Sequence, residues 1–301
     1  MLLDYLVFNA PVSTAKCLLD TLPGPWSSKA SPTVAYQQIQ RCGGVSLSIP
    51  THQAAPIHVN VTGKGCRELE AAGMTDWRAV IGGLLDGGAK FSRIDFALDD
   101  HPANGETGLL DLDEMIAACQ GRRAVLHYRS IDLHPKLDPI TGTVIGRGIS
   151  FGNRQSDTCI RIYDKALQLG VPGHWIRVEL EAHGQRAQAL AKSLVKTGAG
   201  IVPSVLLGYL DFKEAGQTSR RSRQKSWAKW TEFLGTTQRC RLEVAPRNVS
   251  RDNTYHWLIR HVSPSFARLH DGGMGEKLVQ EMLTEGRMKL QSRAIRSPKG
   301  L

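Results

Sequence analysis

One strand pattern in the middle of the chain constrains the fold more than any other feature. From Cys159 to Lys165 the residues favour β structure, and side-chain character alternates at every step. Successive side chains of a strand point to opposite faces, so the two isoleucines share one face while Arg161, Tyr163 and Lys165 share the other. Such a tyrosine is either a half-buried side chain between solvated charges, or a nucleophilic phenol whose flanking cations favour the phenolate.

Two further segments show the same division into an apolar and a polar face. They are Phe91–Asp100, with Arg93, Asp95 and Asp99 on its polar face, and Trp175–Glu181, with Arg177, Glu179 and Glu181 on its polar face. An acid in mid-strand such as Asp95 needs a partner or a metal ion, and an Arg93–Asp95 ion pair is the alternative to a metal site. Packed side by side, the three polar faces would form one site.

The remaining periodicity predicts an α+β fold, with a mostly antiparallel sheet as its core, flanking helices and a basic, partly helical C-terminal region. Further strands are expected at Ala124–Asp132, Leu206–Phe212 and Cys240–Val244, and the turn-rich segment Leu133–Gly148 is typical of a hairpin or a long loop. We expect residues 1–200 to form the catalytic core. Residues 201–301 are expected to complete the fold and to contribute to DNA binding.

The overall charge indicates a polyanionic partner. The formal net charge is +10, from 38 Lys and Arg against 28 Asp and Glu, and nucleic acid is the default candidate. Six scattered cysteines without a C-x-x-C pair indicate reduced thiols and argue against a structural zinc site. No apolar run approaches the ~20 residues that span a bilayer. The expected location is therefore the cytoplasm, without membrane attachment.

A basic segment near the C-terminus is the candidate DNA surface. From Gln217 to Arg241 there are seven basic residues and one acid, with Trp227 and Trp230 among them. Cations suit phosphate contact and tryptophans suit base stacking, but inward packing of the two tryptophans is an equal expectation. The densest basic part consists of Arg220, Arg221, Arg223 and Lys225.

These segments together resemble the Rep_trans replication initiation factors, from about Leu3 to Leu269. The loop Phe151-Gly-Asn-Arg-Gln-Ser-Asp and the strand Arg161-Ile-Tyr-Asp-Lys165 are similar to the family pattern Gly-Ser-Arg-x-Ser followed by Arg-Ile-Tyr-(Glu/Asp)-Lys. Arg93–Asp100 and Arg177-Val-Glu179 resemble its acidic strand and its Arg-x-Glu strand. Val61–Cys66 and Trp257–Leu269 are similar to the filamentous-phage branch. One departure is Asn153, where the family usually has Ser.

The resemblance implies a rolling-circle initiator, an endonuclease that nicks one DNA strand at an origin. It would then catalyse strand transfer through a covalent 5′-phosphotyrosine. Tyr163 would be the nucleophile, with Arg161 and Lys165 on the transferring phosphate. Asp95 and Glu179, and less directly Asp99, would hold a divalent ion, Mg²⁺ or Mn²⁺. DNA contacts would come from Arg154 and from the basic set Arg220, Arg221, Arg223 and Lys225. The partners would be origin DNA and, as open alternatives, a host helicase or polymerase and a second copy of the chain.

Two other functions stay open at this point. A relaxase of an integrative or conjugative element would use the same chemistry on another DNA site, so phage, plasmid and integrative elements are not separated by these residues. A DNA-binding repressor without catalysis would use only the basic C-terminal segment. A relaxase of the His-hydrophobic-His class is disfavoured, because the sequence has no His-x-His pair.

Overall fold

The structure, a computed structural model, describes residues 1–22, 24–52, 54–102, 106–153, 155–216, 220–235, 237–244 and 251–296. The chain divides into two compact units, Met1–Val244 and Ala245–Leu301. The first unit contains every strand described below, and the second is helical over its described residues.

The strands of the first unit make one large sheet and two small ones. In chain order they are β1 Leu2–Ala10, β2 Ser27–Ala30, β3 Tyr36–Cys42, β4 Val45–Pro50, β5 Ile57–Val61, β6 Lys90–Asp100, β7 Ala124–Leu126, β8 Ile131–Leu133, β9 Lys136–Leu137, β10 Val144–Gly146, β11 Gly148–Phe151, β12 Thr158–Asp164, β13 Ile176–His183 and β14 Leu210–Phe212. The large sheet has ten strands in the order β2-β3-β4-β5-β1-β6-β13-β12-β11-β8. Its neighbours pair antiparallel, which confirms the predicted α+β fold.

Eight helices of the first unit accompany these strands among the described residues. They are α1 Val12–Asp20, α2 Gly63–Ala71, α3 Trp77–Asp86, α4 Leu112–Gln120, α5 Lys165–Leu169, α6 Gly184–Thr197, α7 Ile201–Tyr209 and α8 Ala228–Leu234. The second unit consists of α9 Arg251–His261, α10 Ser263–Leu269, a π-helical turn at His270–Met274 and α11 Gly275–Arg296. Over the residues that the structure covers, none of these helices combines the length and apolar character that crossing a bilayer would need.

The central strands bury the faces that the alternation predicted. Ile94, Phe96, Ile160, Ile162, Val178 and Leu180 are all buried in the core. Helix α6 packs over β6 and β13 and buries one apolar stripe of its own. Since side chains alternate along a strand, the charged residues of β6, β13 and β12 lie on the opposite face. The three charged faces lie side by side, as expected.

Two predicted strands after residue 200 are absent or shortened. Most of Leu206–Phe212 belongs to α7, which ends at Tyr209, and only Leu210–Phe212 is a strand. An apolar run that is buried on all sides has the same composition in a helix as in a strand, so periodicity alone could not separate them. The segment Cys240–Val244 has no strand; there the Cys240 amide donates to the Ser204 carbonyl oxygen, and Leu242 is buried.

The predicted strand Ala124–Asp132 is two short strands in different sheets. Strand β7 pairs with β14, whereas β8 pairs with β11 at one edge of the large sheet. Between them the His127 amide donates to the Tyr209 carbonyl oxygen and the Tyr128 ring packs near Phe151. The chain therefore passes from one sheet to the other at this point, where the His127 amide bonds to Tyr209 and the Tyr128 ring packs near Phe151.

Candidate active site

Pairing between β12, β13 and β6 sets the charged side chains in rows across the sheet. Tyr163 lies opposite Arg177, which lies opposite Asp99. In the next row Arg161 lies opposite Glu179. Strand β11 lies on the other side of β12, where Gly148 is opposite Tyr163 and Ser150 is opposite Arg161.

The Tyr163 hydroxyl donates a hydrogen bond of 2.6 Å to Glu179 Oε1. The ring is half-buried, while the Glu179 side chain is only 6% exposed. Burial raises the pKa of Tyr163 well above its usual range, and the negative charge of Glu179 raises it further. The expectation that flanking cations favour the phenolate is therefore wrong for this arrangement, since a carboxylate is the nearest charge to the phenol oxygen.

Arg161 bonds to the carboxylates of the neighbouring strand. Its Nη2 lies 3.1 Å from Glu179 Oε2 and also contacts Glu181 Oε1. Its Nε is buried and has no hydrogen-bond partner among the described residues. The side chain is nevertheless 41% exposed, so it is accessible from the open face of the sheet.

Lys165 is not on the strand, contrary to the expected alternation. The Asp164 carboxylate accepts a hydrogen bond of 2.8 Å from the Leu167 amide and so caps α5, which begins at Lys165. The Lys165 ammonium is 5.7 Å from the centroid of the Tyr163 ring and donates to Gln168 Oε1 at 2.7 Å. Burial and the nearby Arg177 lower the pKa of Lys165. Lys165 thus stays beside the tyrosine, held there by a helix start.

A chain of alternating acids and arginines runs away from Tyr163 along the sheet. Beyond Glu179 and Arg161 comes Glu181, and then Arg93, whose Nη2 is 3.2 Å from Glu181 Oε2 and 2.5 Å from Asp95 Oδ2. Arg93 Nε also donates to both Asp95 oxygens, at 2.9 and 3.0 Å. The Arg93–Asp95 ion pair, weighed as the alternative to a metal ligand, is present. Glu181 and Arg93 were not singled out as site residues, although they share the predicted polar faces.

Asp99 is also committed to protein partners. Arg177 Nε and Nη2 donate to its two oxygens at 2.7 and 2.8 Å, and Trp175 Nε1 donates to Oδ1 at 2.9 Å. Burial opposes ionisation of Asp99, but these bonds outweigh burial and hold its pKa below the usual range. The carboxylate is therefore ionised and neutralised by arginine.

The three carboxylates predicted to bind a metal ion do not converge. Asp95 is four positions from Asp99 on β6, about 13 Å along a strand, so it is not gathered around Tyr163. Glu179 alone contacts the tyrosine directly. Over the part of the chain that the structure describes, no group of three or more His, Cys, Asp and Glu side chains is arranged to hold a metal ion. Arginines occupy the oxygens of Asp95 and Asp99, and Tyr163 occupies Glu179 Oε1, so a divalent ion would have to displace these partners.

The two halves of the predicted basic surface differ. Arg220, Arg221, Arg223 and Lys225 are exposed around a short 3-10 turn at 221–223. Trp230 is fully buried with its ring centroid 5.3 Å from that of Phe212, and Trp227 stacks on the same ring at 5.5 Å. The inward alternative for the tryptophans is therefore the observed one, and the DNA surface would be basic without aromatic stacking. The predicted DNA contact Arg154 lies outside the described residues.

Tyr128 is the other tyrosine that lies on a strand-like segment with basic neighbours. Its hydroxyl donates to Thr158 Oγ1 at 3.3 Å, and its ring is 6.1 Å from that of Tyr209. Burial raises the pKa of Tyr128 above its usual range. No carboxylate accepts its proton among the described contacts, which distinguishes it from Tyr163.

Comparisons with known proteins agree on one class of DNA-processing protein. A family model described as replication initiation factor matches residues 89–283. The chain is 24% identical over 245 residues to NicK of Bacillus subtilis (strain 168), a candidate DNA relaxase, over 76% of this chain and 68% of that protein. The solved structure of a rolling circle replication initiator protein from Geobacillus stearothermophilus has a TM-score of 0.67 at 20% identity, over 80% of this chain and 97% of that chain. That likeness shows a shared fold.

Proposed function

Because the chain belongs to the Rep_trans family of replication initiation factors, as its sequence predicted, we propose that it is a rolling-circle initiator that acts in the cytoplasm. It nicks one strand of origin DNA and remains attached to the 5′ end through Tyr163. The observation that carries this proposal is the 2.6 Å hydrogen bond from the Tyr163 hydroxyl to Glu179, at the open polar face of the sheet.

Glu179 takes the proton of the nucleophile in this proposal. Its Oε1 already accepts the Tyr163 hydrogen bond, and burial raises the pKa of Glu179, which makes this carboxylate a better proton acceptor. The phenol oxygen forms the bond to phosphorus as the proton moves to Glu179, and the bond from phosphorus to the 3′ oxygen breaks. That oxygen takes up the proton that Glu179 gives back, directly or through water, and becomes the 3′-hydroxyl, so atoms and charge balance.

Arg161 and Lys165 supply positive charge to the phosphate. Arg161 is accessible and bonds to Glu179, so its guanidinium can reach an incoming phosphate oxygen from where it lies. Lys165 lies over the ring of the nucleophile. Charge that develops on the non-bridging oxygens would be stabilised by these two cations.

The experiment that tests this function is covalent capture. The purified chain is incubated with supercoiled plasmid that carries the DNA flanking its gene, and the products are separated under denaturing conditions. We expect a protein–DNA adduct at a 5′ end with the wild type and with Tyr128→Phe, and none with Tyr163→Phe. An adduct that persists in Tyr163→Phe and disappears in Tyr128→Phe would move the nucleophile to Tyr128. A wild type that binds this DNA without any adduct would favour the repressor.

Metal dependence stays a prediction of this proposal. The same incubation is repeated with EDTA, and then with an excess of Mg²⁺ or Mn²⁺. We expect EDTA to abolish adduct formation and either ion to restore it. Full activity in EDTA would show that the residues described here act without a divalent ion.

A relaxase of an integrative or conjugative element is the second candidate, favoured by the similarity to NicK. The covalent chemistry would be unchanged, and only the DNA site and the partner proteins would differ. Mapping the nicked position separates the two: initiation places it at the origin of a replicon, and transfer places it at the start of the transferred strand.

A further inference from the structure

A cleft beside Tyr163 has no role in the nicking chemistry described above. It has a volume of about 150 Å³ and is lined on one side by Arg161 and Tyr163 and on the other by His134, Lys136 and Arg147. We call it the Gly148 cleft, after the residue between its two sides.

Gly148 leaves this space open next to the nucleophile. It lies opposite Tyr163 in the sheet, and a Cβ atom at this position would be 2.8 Å from Tyr163 Cβ and 2.8 Å from the Ile162 carbonyl oxygen. The His134 amide donates to the Gly148 carbonyl oxygen on the far side. One row therefore runs from His134 across Gly148 to Tyr163, and only glycine fits its centre.

The outer side of the cleft carries the basic residues Lys136 and Arg147 and the imidazole of His134, and the carboxylate of Asp164 also lines the cleft. Lys136 is exposed and makes no ion pair within the part of the chain that is described. His134 Nε2 is 2.9 Å from Ser150 Oγ, a neutral partner. Arg147 is different, because both oxygens of Asp113 accept from it at 2.9 Å and Asp164 lies 3.6 Å away. On β8, Asp132 lies opposite Ser150, one row from Gly148.

We propose that the Gly148 cleft is a phosphate subsite that holds the DNA backbone next to the scissile position, with Lys136 and His134 as its contacts. The inference rests on the proposed function for what the bound strand is used for. Its basis is the place of the cleft: an opening one strand spacing from the nucleophile, with Arg161 on the inner side and Lys136 on the outer side. A phosphate in this cleft would meet cations from both sides, and a single strand that passes over Tyr163 would be held on the edge side of the sheet.

A salt titration tests the contact without requiring cleavage. The probe is a fluorescein-labelled single strand of 20 random nucleotides, and the protein carries Tyr163→Phe so that nothing is cut. Each phosphate contact on single-stranded DNA contributes about 0.7 to the slope of log affinity against log salt. We expect His134→Ala/Lys136→Ala to lower that slope by about 0.7 to 1.4 and to weaken binding at least about threefold. Lys29→Ala is the matched control, an exposed lysine on β2 at the opposite edge of the same sheet.

Lysine footprinting then locates the contact. The Tyr163→Phe protein is acetylated with and without the same oligonucleotide, and peptides are quantified by mass spectrometry. We expect DNA to protect Lys136 and to leave Lys29 as reactive as before. Equal reactivity of Lys136 with and without DNA, together with an unchanged salt slope, would overturn the subsite even if the wild type forms its adduct. Protection of Lys136 in the Tyr163→Phe protein, together with a wild type that forms no adduct, would support the DNA contact and overturn the nicking proposal.

Discussion

Removing the Tyr163 hydroxyl should cost stability as well as activity, and the structure says roughly how much. Tyr163→Phe deletes the donor of a 2.6 Å hydrogen bond to a carboxylate that is 6% exposed. Hydrogen bonds to charged groups contribute about 1.5–3 kcal/mol. Glu179 keeps its contact with Arg161 at 3.1 Å, so it does not become an unpaired buried charge. We therefore expect Tyr163→Phe to lower the free energy of unfolding by about 2 kcal/mol, near the middle of that range.

A double-mutant cycle isolates this bond from other effects. Glu179→Gln keeps the shape of the side chain but makes the acceptor neutral, and urea unfolding gives the free energy of each variant. If the bond forms in solution, the double variant should be more stable than the sum of the two single losses predicts, by at least about 1 kcal/mol. Tyr36→Phe is the control, because that hydroxyl has no hydrogen bond among the described residues, and its effect should stay within about 0.5 kcal/mol.

Additivity would refute the reasoning. If the two losses sum within about 0.5 kcal/mol, the negative charge of Glu179 does not strengthen the hydrogen bond from Tyr163 in the free protein. That result would contradict the role of Glu179 as the acceptor of the Tyr163 proton, whatever the adduct assay shows for Tyr163. A large coupling energy together with wild-type levels of adduct in Glu179→Gln would support the Tyr163–Glu179 hydrogen bond. It would assign proton transfer to another group.

Three further predictions concern the DNA surface, the cleft and the half-buried His58. The first prediction concerns charge reversal to Glu at the four exposed positions Arg220, Arg221, Arg223 and Lys225. It should weaken binding of duplex DNA and lower the slope of log affinity against log salt by about 3–4. An unchanged slope would exclude these residues from the DNA surface. Gly148→Ala should displace Tyr163 and lower the free energy of unfolding in urea by about 1–3 kcal/mol. The control Gly83→Ala lies on an exposed helix face with open space and should raise that free energy by about 0.5–1 kcal/mol. Equal effects of the two substitutions would contradict the close approach of Gly148 to Tyr163. Burial lowers the pKa of His58 in the folded protein, so the unfolded chain binds the proton more readily as pH falls through about 6.5. The wild type should thus lose more stability than His58→Gln between pH 7 and 5, and parallel losses would refute the assignment.

The faces of the central strands could be predicted from sequence, but their register could not. Period-two alternation states which side chains of β12 and β13 share a face, because the alternative would expose isoleucines and bury charges. It does not state which residue lies opposite Tyr163. A shift of two residues would keep both faces and place Glu179 or an arginine there equally well. The observed pairing of Tyr163 with Arg177 lets Glu179 reach the phenol from the next row.

The partners of the acids were beyond sequence reasoning for a related reason. Several arginines and carboxylates share one face, and composition does not decide whether an acid is neutralised by arginine or by a metal ion. The structure pairs Asp95 with Arg93 and Asp99 with Arg177. Alternation does not predict β2 or β3, because β2 at the sheet edge is fully exposed and β3 beside it is mostly polar and half-buried, so neither strand has a repeating apolar face.

The Gly148 cleft lies near one edge of the large sheet, and its two walls therefore differ in the free energy of local opening. Tyr163 lies on β12, which is paired along both sides, whereas β8 has three residues and pairs with β11 alone. Lys136 lies farther out, in a two-stranded ribbon with β10. Short edge segments open locally at lower free energy than central strands, so their amides should exchange with solvent first. The outer wall can thus open locally while Tyr163 and Glu179 keep their geometry.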